Sequence, residues 1–431
     1  MVTQENNKKI NLVYDRWNGE TPLFNLSSDL GDGGFRDERY FFDFYERFFQ
    51  EQLNYPRNFL PCSQNKLKDV YNNPNKKYFY GLKTSLSLEF IKKLPADVIK
   101  CLQECENFFI LFIREHESEF LSDIEYITKF LDKEKIEHNK LIVLSNNPKI
   151  FEHKKQLNSN IQFHQLSLLS ITSSSVFNEL GSTYIDDKKG KFFVCQNKSP
   201  KPHRIATLSI LDRLDLLNDT NWSLLTPINM PVDDYRRYFN DSDFELQKPS
   251  LEKILDSKRK CGDYENESMI TEEGDFVRDD FPHLEGAGGA SGGLMIREGH
   301  DTHQNSYINI ITESLYDDKF DVIHITEKSF RPFFFYQLPI IVASHNHIKQ
   351  MEVEFGLDFY HDLIDHSYDE EKNEIDRFKK ISLEIERLYS IKDEVIDYYK
   401  SNKDRFEKNK RIISNLPNNI SDIKFFQTLL S

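Results

Sequence analysis

Residues 306–344, SYINIITESLYDDKFDVIHITEKSFRPFFFYQLPIIVAS, restrict the fold more than any other stretch of the chain. An Ile-rich β-like run, Tyr307 to Thr312, ends at Glu313. A polar turn, Tyr316 to Asp321, and a short apolar run, Val322 to Ile325, lead into Thr326-Glu327-Lys328. A brief aromatic helix follows, closed by Leu338-Pro339, and a second β-like run, Ile340 to Ala343, ends at Ser344. Strand, helix and strand in so few residues predict one βαβ unit of a parallel sheet. Ligands of such sheets gather at the carboxyl ends of strands and at helix N-termini. Glu313, Thr326, Glu327 and Lys328 fall at those places.

The Thr-Glu-Lys triplet has chemical content. The Thr326 hydroxyl can cap the helix by accepting an orphan N–H. Glu327 and Lys328 then lie in the first turn, beside free N–H groups and the positive end of the dipole, which makes a diphosphate site with a lysine added. A lysine there opposes the dipole, and a bound anion would account for it. An ordinary capping sequence with a solvated lysine is the plainer reading of the same residues. Pro332 inside a helix would cost roughly 3 kcal/mol, so a bent or late-starting helix is expected, with Ser329 as the alternative cap.

Elsewhere the chain alternates strands and helices, which implies a parallel α/β sheet. Ile10 to Tyr14 is a short strand candidate. The polar, glycine-rich segment Asp29 to Gly34 lacks a dinucleotide fingerprint and reads as a loop. Glu38 to Leu53 carries a helical aromatic stripe, and Leu82 to Cys105 reads as helical with Pro95 interrupting it. Phe108 to Ile113 is a buried strand ending at Arg114-Glu115-His116-Glu117, and Ser118 to Leu131 is a helix. Lys140 to Leu144 and Ile161 to Leu166 are further strands. Gly190 to Cys195 opens a second α/β block. Its strand Phe192 to Cys195 runs into a basic loop with Lys198, Lys201 and His203, and then into a helix, Ile205 to Leu217. Strand, basic loop and helix make a phosphate-binding arrangement or, more plainly, a solvated loop. Residues 231–302 are charged and poor in period, and their GAGGASGG stretch (286–293) lacks the lysine and hydroxyl of a P-loop. Asp365 to Asp369 with the acidic residues after it reads as a helix cap. A long charged helical region, Glu370 to Lys408, carries an apolar stripe at Ile375, Phe378, Ile381, Ile385 and Leu388.

The strand, the TEK triplet, the short helix, the proline and the second strand resemble the nucleotide-binding segment of the α1,3-fucosyltransferase family. Glu313 stands for that segment's acidic strand end, and Leu338-Pro339 for its exit. The chain also resembles virus-encoded fucosyltransferase-like proteins with a PHR element upstream, here Pro202-His203-Arg204, and a DxSYD element downstream, here Asp365 to Asp369. The resemblance covers residues 192–369, under half of the chain. It implies a GT-B α/β fold, two Rossmann-like domains facing across a cleft. The domains are an acceptor-side unit at 1–188 and a nucleotide-sugar unit at 189–375 with a loop-rich insertion near 231–302. C-terminal helices over 376–431 cross back. It also implies metal-independent, inverting transfer of a sugar from a nucleotide sugar, a GDP-sugar such as GDP-fucose, to a hydroxyl of a glycan or other acceptor. Arg204, Glu313, Thr326, Glu327 and Lys328 would bind the nucleotide. Glu115 or Glu117 would be the base, and the resemblance does not choose between them. No cofactor is implied. The alternative is a non-catalytic nucleotide-binding or scaffold protein that retains the C-terminal half.

Composition bounds these readings. A chain of 431 residues holds two domains of ordinary size. Aromatic content of 13%, with 35 phenylalanines, argues against disorder. A net charge of −15 argues against a bulk nucleic-acid partner. The five cysteines have no framework spacing, which points to reduced thiols and a cytoplasmic setting. Cys101 and Cys105 share a helical face as buried thiols. The first residues carry no apolar signal region, and no run reaches the ~20 apolar residues of a bilayer span, whereas secretory fucosyltransferases usually carry an anchor.

Overall fold

A computed structural model describes residues 10–13, 62–65, 67–84, 94–114, 120–145, 147–157, 160–165, 182–185, 189–197, 201–224, 230–256, 260–261, 303–318 and 322–415. They fall into two compact units. The first takes the described residues up to 165 with Val322, and the second takes 182–318 with 323–415.

The first unit is a six-stranded sheet in the order β2-β1-β3-β4-β5-β6. Its strands are β1 (Ile10–Val13), β2 (Cys62–Asn65), β3 (Tyr78–Thr84), β4 (Phe108–Arg114), β5 (Leu141–Ser145) and β6 (Gln162–Gln165), paired in parallel throughout. Four helices accompany them: α1 (Leu67–Asn72), α2 (Ala96–Glu104), α3 (Phe120–Lys133) and α4 (Ile150–Gln156). β5 is buried along its whole length, as a strand covered on both faces must be. β3 corrects the helical reading of the residues from Leu82. Lys76 and Lys77 directly precede Tyr78, yet Tyr78, Phe79 and Tyr80 are core residues. The helix starts only after Pro95, which fixes its entry. Cys101 and Cys105 are free thiols 3.6 Å apart, the first buried and the second half-buried.

The second unit holds a five-stranded sheet in the order β11-β10-β7-β8-β9. The strands are β7 (Lys191–Asn197), β8 (Thr220–Leu224), β9 (Lys260–Cys261), β10 (Ser306–Thr312) and β11 (Leu338–Val342). All pair in parallel except β9, which runs antiparallel to β8. Pro339 is tolerated because β11 is an edge strand, where one side of the backbone needs no partner. The helices are α5 (Pro202–Arg213), α6 (Asp241–Asp256), α7 (Glu327–Phe334), α8 (His347–Phe355), α9 (Glu374–Ser390), α10 (Lys392–Ser401) and α11 (Lys403–Asn415). Both units are therefore Rossmann-like α/β layers, in agreement with the expected fold class.

Several boundaries differ from the sequence reading. Residues 182–185 belong to the second unit, where Tyr184 stacks on Tyr399 with ring centroids 4.9 Å apart. The stretch expected to be loop-rich from 231 contains α6, whose buried Phe244, Gln247, Leu251 and Ile254 follow helical spacing despite Pro249 inside it. The long charged region divides into α9, α10 and α11, which pack within the second unit. Residues 29–34, 38–53, 286–293 and 416–431 lie outside the described residues. Among the described residues, no helix is long and apolar enough to cross a membrane.

Candidate functional site

From β7 the chain moves outward to β8 and β9, then returns to the other side of β7 as β10. The order therefore reverses between β7 and β10. Open α/β sheets bind ligands at the carboxyl ends of the strands flanking such a reversal. Asn197 ends β7 and Thr312 ends β10, and the Thr312 hydroxyl donates to Asn197 Oδ1 at 2.5 Å. That bond ties the two strand ends together directly below the loops that carry the candidate residues.

Glu313 follows Thr312 and is fully buried. Its carboxylate accepts from Thr326 N at 3.2 Å, from the Thr326 hydroxyl at 2.9 and 2.7 Å, from the Ser329 hydroxyl at 2.5 Å and from Ser314 N at 3.0 Å. Burial alone would raise its pKa. Lys328, then His347 and the two hydroxyls, together outweigh burial and hold the carboxyl well below the usual range. Because Ser329 donates its one proton to Glu313, its oxygen accepts from His347 Nε2–H at 2.9 Å. Burial pushes the His347 pKa down to about 4, although Glu313 pulls the other way, so the ring is neutral at pH 7.

Thr326 is the cap of α7, accepting from Lys328 N at 3.2 Å. The helix begins at once at Glu327 and contains Pro332. It is neither late-starting nor capped by Ser329, which bonds Glu313 instead. The lysine that opposes the helix dipole has an anion after all, and that anion belongs to the protein. Glu313 takes up the Thr326 amide at the cap position of α7. Lys328 Nζ lies 3.1 Å from Thr326 Oγ1, 3.3 Å from Glu327 Oε1 and 3.5 Å from Ser314 Oγ. Glu327 stands at the rim, about a third exposed.

α5 is different. Its cap position, Lys201, provides no side-chain cap, and Pro202 occupies the first turn. The helix is buried almost all round rather than on one apolar face, with His203, Arg204, Thr207 and Ser209 inside. Lys201 Nζ donates to Ser314 O at 2.6 Å. His203 Nε2–H donates to Glu313 O at 2.7 Å, which fixes its tautomer, and burial pushes its pKa down to about 3. Arg204, expected at the phosphate, is buried and reaches the same carbonyl at 3.4 Å. Two lysines from two helix N-termini thus meet at Ser314.

The loop bearing Ser314 is fixed from behind. Arg377 of α9 donates to Asp318 Oδ2 at 2.8 Å, to Glu371 O at 2.9 Å and to Tyr316 O at 2.6 Å. The Tyr316 hydroxyl donates to Glu374 O at 2.6 Å, and its ring stacks on His203. Ser314, Arg331, His347 and Arg377 were not singled out from the sequence, and Ser329 was read only as an alternative cap. Arg331 and Glu327 share a helical face four residues apart, a visible signal; the other partnerships span the fold.

The DxSYD element is also a cap, but of another helix. Asp369 accepts from Ile348 N and Lys349 N, both at 3.0 Å, at the start of α8. Tyr368 OH donates to His366 Nδ1 at 2.8 Å and accepts from Ile341 N at 3.2 Å. Glu115, Glu117 and Lys198 lie outside the described residues; β4 delivers the chain as far as Arg114. Among the described residues, no three metal-ligating side chains are grouped.

No family model matches the chain, and no curated protein does. A solved structure described as the DNA-modifying enzyme beta-glucosyltransferase, in the presence and absence of uridine diphosphoglucose, superposes with a TM-score of 0.34. It is 12% identical, over 94% of this chain and 99% of that one. A likeness of that degree carries no argument about substrate or reaction.

Proposed function

We propose that the protein is a glycosyltransferase that takes a sugar from a nucleotide sugar, a GDP-sugar such as GDP-fucose, to an acceptor hydroxyl. One observation carries the reading: Lys201 and Lys328 converge on Ser314 at the reversal point of a parallel sheet. Two cations at that place suit a diphosphate, whose charge grows as it leaves the sugar. Arg204 adds a third charge beneath them, and Glu327 would hold ribose hydroxyls. Glu313 and Thr326 hold the α7 end in place and so aim Lys328.

In this proposal Glu115 or Glu117 takes the acceptor proton. The acceptor oxygen bonds to the anomeric carbon as the bond to the diphosphate oxygen breaks, so the configuration inverts. The lysines neutralise the leaving group, so no divalent metal is needed. The test is turnover of GDP-fucose and UDP-glucose, with and without EDTA, in the wild type, Glu115→Gln and Glu117→Gln. The expected result is EDTA-resistant release of GDP, with kcat lowered roughly 10²–10⁴-fold in one glutamine variant. Full activity in both variants removes this loop from the chemistry. Wild type that binds GDP yet never hydrolyses or transfers the sugar is a nucleotide-binding scaffold.

A further inference from the structure

Arg331 stands one turn beyond Glu327 in α7, its side chain 7% exposed. A buried guanidinium ordinarily spends its five N–H donors on carbonyls and carboxylates. This fold does so elsewhere. Arg377, 1% exposed, places three hydrogen bonds on Asp318, Glu371 and Tyr316, although its Nε has none. Arg331 differs. Its Nε is buried without a hydrogen-bond partner. Its ion pair with Glu327 Oε1 is 3.8 Å long, beyond hydrogen-bond range. Glu327 in turn is nearer to Lys328, at 3.3 Å. Burial lowers the Arg331 pKa, a sign that its charge is undercompensated by the protein.

Helical side chains lean toward the N-terminus of their helix. Arg331 therefore points back along α7 toward Glu327 and Lys328, the residues at the rim of the candidate site. We propose that Arg331 is a binding residue of that site, and that its guanidinium grips a phosphate oxygen of a nucleoside diphosphate. A neutral hydroxyl would leave the desolvated charge uncompensated. A phosphate matches the planar fork and supplies two acceptors at once. The assignment rests on the nucleotide reading above and adds a residue to it.

Two measurements on Arg331→Met and Arg331→Lys test it: calorimetric titration with GDP and with guanosine, and thermal melting without ligand. Binding predicts that Arg331→Met weakens GDP about 10- to 100-fold, leaves guanosine unchanged, and holds or raises the melting temperature. Methionine fills the space and removes a buried charge that lacks partners. Arg331→Lys keeps the charge but not the fork and falls between. A purely structural arginine predicts the opposite pair, a lowered melting temperature with GDP affinity unchanged, and that result overturns the assignment. Wild type that binds no GDP at all overturns the nucleotide reading itself and is a separate outcome from a wild type and variant that bind alike.

Discussion

Two helices begin at adjacent strand ends in the second unit, and they treat the positive ends of their dipoles in opposite ways. α7 has a threonine cap and a buried glutamate, Glu313, resident against its first turn. α5 has no side-chain cap and a lysine at the cap position. Helix N-termini attract anions through unpaired amides and the dipole. At α7 the protein supplies the anion itself, so what that helix presents outward is the lysine balancing it. At α5 a lysine rather than a carboxylate or hydroxyl stands at the cap position. The pair differs in what stands at the first turn: a buried carboxylate at α7 and a lysine at α5.

The comparison breaks most sharply at Glu313. Glu313→Gln keeps the size of the side chain but removes the resident charge. It leaves Lys328 with Glu327 as its remaining counter-charge and the Thr326 and Ser329 donors with a weaker acceptor. Unfolding free energy at pH 7 should fall by about 2–3 kcal/mol, the scale of weakening hydrogen bonds to a buried charged group. Urea denaturation measures it. A loss below ~1 kcal/mol would show that the carboxylate is not the anion of α7.

Lys201 and Lys328 sharpen the contrast, because they differ in what else they do. Each should weaken GDP about tenfold or more when changed to alanine, as a charge-assisted contact does. Lys201→Ala should leave stability within about 1 kcal/mol of wild type, because its bond to Ser314 O is partly exposed. Lys328→Ala should lower both affinity and stability, because it also strips Glu313 of its counter-charge. Calorimetry and denaturation on the two variants separate the roles. Wild-type affinity in both would remove the lysines from any nucleotide site.

Much of this architecture was legible in the sequence. The βαβ unit around Thr326, the cap and the strand ending at Glu313 are local patterns, and they stand where the pattern places them. β3 was hidden because Tyr78–Thr84 is framed by lysines and interrupted by Gly81, so neither period is clean. α6 was hidden by Pro249, which argues against a helix interior on propensity grounds. Within the site, residue types were legible but partners were not. Glu313 reads as a ligand-facing carboxylate because nothing in the sequence shows that Ser329 and His347 close around it. Arg331 draws no notice in the sequence until its burial is seen. Non-local burial decides both cases, and spacing carries no record of it.

A third helix end completes the comparison. Asp369 caps α8 through the amides of Ile348 and Lys349, and the cation that acts on its charge is Arg377. Burial is the largest influence on it and exceeds the help from those amides and from Arg377, so its pKa is raised to about 6. Glu313, more deeply buried but beside Lys328, is held low. For Asp369 the folded state binds the proton more tightly than the unfolded chain, whose aspartates titrate near 3.9. Between about pH 4 and pH 6 the folded protein holds more protons, so this residue's contribution to stability falls as pH rises through that window. It is flat above the folded pKa. Asp369→Asn cannot titrate and serves as the reference. Wild type should lose on the order of 2 kcal/mol relative to Asp369→Asn from pH 4 to pH 7, one pKa unit corresponding to about 1.4 kcal/mol. Urea midpoints for the two proteins across that range give the slope. If wild type instead gains on the variant as pH rises, the amide cap outweighs burial at Asp369, and Lys328 is not what separates the two carboxylates.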